Sequence, residues 1–378
     1  MSDEIYMARA LELAYRGRFT TAPNPNVGCV LVRDDSIVGE GYHQYRGGLH
    51  AEAHALLMAG EKARGATAYI TLEPCTYYGC TPSCCDALIL SGIIRVVVSM
   101  KDPNPRVSGK GIHRLQQAGL HVSEGLMALE AEKINCGFLK RMRKGLPWIQ
   151  LKLGASLDGK TAIANGESQW ITSKESRSDV QNLRAQSSAI LTTSSTVIMD
   201  NPELTVRYKE LDSSALELYP VERFRQPIRV IIDNKNRITP QYRIIDQPGE
   251  TWLVRTKYNQ LDWPNNVKKL DVKYDENHLN LYSMFLELGY KEINVILVES
   301  GAKFAGALLN AQLVDELIVY LAPKLIGDTG RSLCEIPPLK RLKDSLAFNF
   351  NHICRIGPDI KLILTPHIVV PNITSVDE

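Results

Sequence analysis

ATAYITLEPCTYYGCTPSCCDALIL, residues 66–90, carries the reading that decides the fold. Ala66 to Leu72 is short, apolar and β-prone, and predicts a strand that Pro74 ends. Cys75 then falls at the strand's C-terminal mouth. Pro82 to Leu90 predicts a helix, with Thr81 as cap and Pro82 at its first position. Cys84 therefore sits in a first turn, where the helix dipole favours a thiolate. Upstream, residues 50–63 are Ala- and Leu-rich and predict another helix, opening on His50-Ala51-Glu52. An imidazole and two thiolates in strand–loop–helix context suit a tetrahedral zinc ion that keeps its fourth position for water.

The order H-x-E, P-C, C is that of zinc-dependent base deaminases. In such a site zinc lowers the pKa of water, and the glutamate, here Glu52, is no ligand but shuttles protons. The expected ligands are His50, Cys75 and Cys84. Cys80 and Cys85 compete for the third place; Cys85 points one helical step away and reads as core. His54 lies four residues after His50, but the glutamate at i+2 breaks the metalloprotease pattern, and His54 reads as packed or solvent-facing.

Outward from this centre, MSDEIYMARALELAYRGRF predicts an amphipathic helix capped by Ser2 or Asp3, with Ile5, Ala8, Leu11 and Tyr15 on one face. Residues 26–39 predict a hairpin turning at Asp34-Asp35, and 93–99 a buried strand. Residues 110–119 predict a helix closed by Gly119. This alternation indicates an α/β sandwich. The basic run KRMRKGLP (140–147) reads as a solvated linker and the domain boundary. Beyond it, strands are expected from 148 and near 188–192, 228–233, 251–254, 293–299, 315–321 and 359–365, with helices near 174–186, 279–289 and 303–310. The limits are 1–145, 146–366 and a loose tail, 367–378.

The chain has 378 residues, 44% hydrophobic and 23% charged, with a formal net charge of +2. That balance gives no electrostatic case for nucleic acid or an anionic membrane. No apolar run reaches the roughly 20 residues of a membrane helix, and the N-terminus has no apolar signal core. A cytoplasmic location follows. Four of eight cysteines lie within residues 75–85, which in a chain without an export signal points to a metal rather than disulfides.

The chain resembles the bifunctional riboflavin-biosynthesis proteins with deaminase and reductase domains. In the first half the likeness rests on PNPNVGCV (23–30), GEGYH (39–43), HAEAHAL (50–56), TLEPC (71–75), TPSCCDAL (81–88) and DPNP (102–105). In the second it rests on LKLGASLDGKTA (151–162), SQWIT (168–172), LRAQSSAIL (183–191), LTVR (204–207), VESG (298–301) and DELIVYLAPKLIG (315–327). The resemblance implies a cytidine-deaminase-like α/β/α sandwich followed by a dihydrofolate-reductase-like α/β domain. It implies loss of the 2-amino group from a diamino-ribosylamino-pyrimidinone 5′-phosphate, then NADPH reduction of ribosyl to ribityl. The partner is thus a small pyrimidine ribose phosphate, with no nucleic acid and no membrane, and a homo-oligomer is expected. By the same likeness Asn24 and His43 hold substrate in the deaminase half. Gly154, Trp170, Thr196, Asp200 and the segment Gly301, Ala302, Lys303, Phe304, Ala305, Gly306 and Ala307 take NADPH. Ser168, Arg184, Leu204, Arg207 and Glu299 contact substrate.

The residue chemistry is compatible. Gly301 follows a strand and opens a helix whose N–H groups suit a phosphate. Arg184 and Arg207 suit bidentate pairing with a phosphate. Glu299 ends a strand where α/β sheets place ligand contacts. Lys152, between Leu151 and Leu153, faces away from one core layer and reads either as a sugar contact or as a solvated face. The family loop after Pro-Cys usually reads Ser-His-x-Gly-(Arg or Lys)-Thr-Pro-Pro-Cys; here a histidine has become Tyr77 and the basic residue Cys80. Asp-Asp-Pro has become Asp200-Asn201-Pro202. Two alternatives stand beside this reading: a reductase whose first domain is a scaffold, and a nucleic-acid base deaminase with a C-terminal binding module.

Overall fold

The computed structural model describes residues 2–77, 83–104, 107–255, 261–275 and 278–367. The first half runs α1 (Asp3–Arg16), β1 (Gly28–Arg33), β2 (Ser36–Tyr42), α2 (Ala51–Ala59), β3 (Thr67–Ile70), α3 (Cys84–Leu90), β4 (Arg95–Val98), α4 (Lys110–Gln117), β5 (His121–Glu124), α5 (Ala128–Ile134) and α6 (Cys136–Lys144). Its five-stranded sheet has the order β2-β1-β3-β4-β5. Asp34 and Asp35 both take positive φ, the conformation a two-residue hairpin turn requires. The β1–β2 and β1–β3 pairs are antiparallel, and β3, β4 and β5 run parallel. Alternate residues of β1 divide between two cores. Cys29 and Leu31 pack toward Ala51, Ala55 and Leu88; Val30 and Val32 pack toward Met7, Ala10, Ala131 and Phe138. With period 2 in the strand, that division makes the α/β/α sandwich expected.

The second half begins with β6 (Trp148–Ser156) and β7 (Lys160–Ala162), then α7 (Lys174–Gln186), β8 (Ala189–Thr193), α8 (Ser194–Asp200) and α9 (Ser213–Leu218). It continues through β9 (Ile228–Ile232), β10 (Thr251–Val254), β11 (Val267–Leu270), β12 (Tyr274–Asp275), β13 (His278–Leu279), α10 (Leu281–Tyr290), β14 (Val295–Glu299) and α11 (Ala302–Asn310). It ends with β15 (Glu316–Ala322), β16 (Arg331–Ser332), β17 (Phe348–Ile356) and β18 (Asp359–Pro366). The nine-stranded sheet has the order β11-β10-β9-β8-β14-β6-β15-β18-β17. It is parallel as far as β15 and antiparallel in its last two pairs. Ile149, Leu151 and Leu153 face the core built with Met284, Phe285 and Leu308. Gln150, Lys152 and Gly154 alternate with them and take the opposite face.

Several expectations change. The buried face of α1 is Tyr6, Met7, Ala10, Leu11, Leu13 and Ala14; Ile5, Ala8 and Tyr15 are exposed. Leu11 is buried as expected, and the rest of the buried face is turned toward Val30, Val32 and Tyr69. Helix α3 starts at Cys84 on Ser83, whose Oγ accepts from Asp86 N–H; Thr81 and Pro82 lie outside the described residues. The run 140–144 is no linker but the end of α6, stopped by Gly145 in the left-handed conformation. Lys140 pairs with Asp315, and Arg141 donates to Asn294, so these cations tie the two halves together. Gly137 lets α6 approach: a Cβ there would lie 2.6 Å from Val295 Cγ2 and 2.7 Å from the Asn294 carbonyl oxygen. Among the described residues no helix is long and apolar enough to cross a membrane. Of the expected tail, residues 368–378 lie outside the described residues.

Candidate active sites

His50 is the N-cap of α2, and Glu52 follows in its first turn. Cys75 lies in the loop after β3, and Cys84 opens α3. The loop is pinned to the helix: the Cys75 carbonyl accepts from Ser83 Oγ at 3.2 Å and from Cys85 N–H at 3.1 Å. The His50 Nδ1 therefore stands 3.1 Å from Cys84 Sγ and 3.7 Å from Cys75 Sγ. All three donor atoms lie within 4.8 Å of one another. A tetrahedral site with bonds of about 2.0 and 2.3 Å spaces its donors by roughly 3.5–3.8 Å. The donor set thus fits zinc in kind and in spacing.

Electrostatics agree. The two thiols bond each other: hydrogen bonding from Cys84, then from His50, lowers Cys75, while the same bond and burial push Cys84 up. Glu52 is 3% exposed. Burial raises its carboxyl, and it shares a hydrogen bond with Cys84. His43 is buried behind His50, their rings edge to face at 5.6 Å. Its Nδ1 bonds the Leu49 carbonyl at 3.0 Å and its Nε2 the Asn24 Nδ2 at 3.1 Å. Burial lowers His43 below the usual imidazole range. Cys85 turns away to the Pro74 and Gly111 carbonyls and is fully buried. His54 is outside the cluster formed among the described residues. Cys80 lies outside the described residues; Tyr77 is exposed.

One residue of this half escaped sequence reasoning. Glu73, 4% exposed, accepts from the N–H groups of Asp102, Gly109, Gly111 and Ile112. Four donors satisfy a buried carboxylate, and they fasten the 102–112 segment beside the zinc loop. A charged residue at the end of an apolar strand was the available signal. Burial also raises Asp102, to about 6.

In the second half, period 2 brings Lys152 and Glu299 side by side across the β6–β14 register. Lys152 Nζ lies 3.9 Å from Glu299, and Arg184 on α7 grips the same carboxylate at 2.6 and 3.1 Å. Burial would raise Glu299, but Arg184 and Lys152 hold it at about 2. Burial lowers Lys152 in turn, so this side chain is no solvated face. The third arm of Arg184 donates to the Thr205 carbonyl at 2.9 Å. All three nitrogens of this guanidinium are thus engaged by Glu299 and the Thr205 carbonyl. Arg207 is exposed and pairs with Glu210 at 2.7 Å. Leu204 is buried among Ile190, Val197 and Ile231 and has φ +49°, so only its backbone is available to a ligand.

Gly301 caps α11, and a Cβ there would meet open space. Ser300 Oγ and, on the neighbouring β8, Thr192 Oγ1 are buried without a partner. Two orphaned hydroxyls beside a helix N-terminus fit a polar cofactor. Lys303 is exposed and Ala302 and Phe304 partly so. Ala305 and Gly306 face inward; a Cβ on Gly306 would lie 1.7 Å from the Glu335 carbonyl oxygen. Within the segment expected to meet the cofactor, Gly306 thus packs the inner side. Gly154 faces Thr172, whose Cγ2 would be 3.3 Å from a Cβ. Trp170 is exposed under the Arg177 guanidinium at 4.4 Å, and its carbonyl accepts from Lys324. Ser168 is half-buried. Thr196 N–H reaches Thr193 Oγ1 at the start of α8, and Asp200 lies at its exposed end.

Fold and sites together define a class: a zinc-dependent base deaminase joined to an α/β reductase domain. The cytidine and deoxycytidylate deaminase zinc-binding region matches residues 1–100, and the RibD C-terminal domain matches 147–362. The chain belongs to the riboflavin biosynthesis protein RibD family. It is 62% identical to RibD of Escherichia coli K12, covering 96% of this chain and 99% of that one. It is 50% identical to the Haemophilus influenzae protein, with 96% and 97% covered. Among solved structures, Acinetobacter baumannii RibD superposes with a TM-score of 0.89 at 40% identity over 97% of this chain and 99% of that one. The Thermotoga maritima diaminohydroxyphosphoribosylaminopyrimidine deaminase/5-amino-6-(5-phosphoribosylamino)uracil reductase gives 0.84 at 32% identity, covering 96% and 98%.

Proposed function

We propose that this chain acts twice on one small molecule in riboflavin biosynthesis. It hydrolyses the 2-amino group of 2,5-diamino-6-ribosylamino-4(3H)-pyrimidinone 5′-phosphate, taking up water and releasing ammonia. It then reduces the ribosyl group to ribityl with NADPH. The observation that carries the reading is the buried Glu52 carboxyl against the His50, Cys75 and Cys84 donors. Those three would hold zinc, which when bound supplies a Lewis acid that activates water at neutral pH. The Glu52 carboxylate takes a proton from the attacking water and passes it to the ring nitrogen, then takes the second proton of that water and passes it to the leaving ammonia. Asn24 and His43, bonded to each other, present amide and imidazole to the substrate.

In the second site Gly154, Trp170, Thr196, Asp200 and the Gly301–Ala307 segment would hold NADPH, the source of the hydride when bound. Glu299, Lys152 and Arg184 face the substrate, with Ser168, the Leu204 backbone and Arg207 around it; Arg184 also fixes the Glu299 rotamer. We place the domain limits at 1–145 and 146–366, with a tail at 367–378; the left-handed Gly145 ahead of β6 supports the first boundary. Free thiols at all seven described cysteines suit a reducing cytoplasm. Exposed Phe350 and Ile353 on the edge strand β17 suit pairing with a second copy. The net charge of +2 favours a small substrate over nucleic acid.

The test is an anaerobic assay of zinc-loaded protein with the diamino-pyrimidinone phosphate, following ammonia and NADPH in one tube. Ammonia is expected first and NADPH oxidation after it. No ammonia, with NADPH consumed once the deaminated intermediate is supplied, would leave the first domain a scaffold.

A further inference from the structure

The deaminase loop that carries Asn24 leans on the reductase half. The Pro23 carbonyl, one peptide before Asn24, accepts from Asn294 Nδ2 at 3.0 Å and from Arg141 Nη2 at 3.1 Å. Arg141 Nε donates to Asn294 Oδ1 at 2.6 Å, which closes a three-membered knot. Asn294 is 6% exposed and immediately precedes β14. Its backbone carbonyl, separately, accepts from Trp148 N–H. The next turn back is held too: Phe19 stacks on Tyr219 of the reductase half, centroids 5.0 Å apart and planes 6° off parallel. Phe19 shares a buried cluster with Ala185, Val206 and Leu211. The segment from His43 to Arg46, just after β2, is tied to the turn that leads into this loop, because Arg46 N–H donates to the Thr20 carbonyl and a Cβ on Gly17 would lie 2.7 Å from the His43 carbonyl oxygen. Arg223 adds its guanidinium over the Tyr45 ring at 3.6 Å.

We propose that Asn294 of the reductase half is a positioning residue for deamination, holding the Pro23 carbonyl so that Asn24 meets His43 at the deaminase site. This rests on the reading of Asn24 and His43 as substrate contacts. The physical argument is one of lever and distance. A backbone carbonyl held by two donors fixes the plane of the peptide it belongs to, and Asn24 N is in that plane. Asn24 then needs no freedom to reach His43 Nε2. At the other end of β14, Glu299 lies five residues on, about 17 Å away along the strand, so the side chain of Asn294 serves the other domain's site and not its own. Because Asn24 and His43 bind rather than move protons, displacing them weakens substrate binding and spares the proton transfers of Glu52.

The experiment uses the full chain, zinc-loaded, with Asn294→Leu, Arg141→Leu and Asn24→Ala assayed for both steps. Asn294→Leu and Arg141→Leu are each expected to raise the deamination KM about fivefold to tenfold, the loss of one or two neutral hydrogen bonds' worth of order, with kcat and zinc content little changed. Reduction of the supplied deaminated intermediate should stay at the parent rate. Normal deamination in Asn294→Leu alongside a large defect in Asn24→Ala overturns the positioning role and leaves the substrate reading intact. Normal deamination in Asn24→Ala overturns that reading itself, and the inference with it. A fall of both activities together in Asn294→Leu, with lowered thermal stability, also overturns the inference, since the residue would then serve folding alone.

Discussion

The two sites solve the same electrostatic problem in opposite ways. The His50–Cys75–Cys84 cluster is rich in electron-pair donors, and Glu52 adds a carboxyl beside it. Such a group is neutralised by an incoming dication. The Lys152–Glu299–Arg184 cluster carries its own compensation, two cations around one carboxylate. The first site is therefore drawn together by two helix starts and balanced by its metal; the second balances its charges with its own side chains. Dependence on an outside ion should separate the two activities cleanly.

The largest expected effect tests that separation. Glu52→Gln should lower ammonia release by about 10³-fold, the usual weight of a general acid–base, while zinc stays bound and reduction is untouched. Undiminished release would remove Glu52 from the proton path. Removal of zinc with a chelator should likewise silence deamination and spare reduction; equal loss of both would erase the contrast.

Glu299 sharpens the other side. Its folded pKa, about 2, lies below the ordinary 4.5. Stability from this group is thus full above pH 4.5 and lost as pH falls toward 2, about 3 kcal/mol in all. Glu299→Gln should cost a similar amount at pH 7, because it leaves Arg184 and Lys152 uncompensated, and should flatten the acid limb of stability. Urea midpoints at pH 7 and pH 3 would show it; parallel pH slopes in the two proteins would refute the self-compensated cluster. The same variant should slow reduction and leave deamination alone.

A smaller effect divides the α11 glycines. Gly306→Ala should destabilise by about 2 kcal/mol through the Glu335 carbonyl. Gly301→Ala should leave stability unchanged and act, if at all, on the NADPH KM. Thermal melts of both, with and without NADPH, decide it; a neutral Gly306→Ala would refute the packing role.

Legibility differed between the sites for the same reason. The zinc donors sit at element boundaries, where Pro, capping residues and cysteine spacing mark positions within one supersecondary unit. Lys152, Arg184 and Glu299 come from three distant segments: strand alternation singled out Lys152, the family resemblance named Arg184 and Glu299, and the structure alone revealed that Arg184 grips Glu299. Arg141 was misread for a related reason. A basic run looks like a solvated linker until a partner such as Asn294, 153 residues away, is placed against it.

By itself, then, the sequence determined the elements of the sheet interiors, the zinc donors and the two-domain order, because period-2 alternation, turn residues and metal-ligand chemistry act over short stretches of chain. Only the tertiary structure decided which face of α1 is buried, that 140–144 is helix, that Glu73 binds four loop amides, and that the Asn24 loop rests on the reductase half. Each of those depends on what a distant segment offers across an interface, a quantity that local propensity and spacing do not encode.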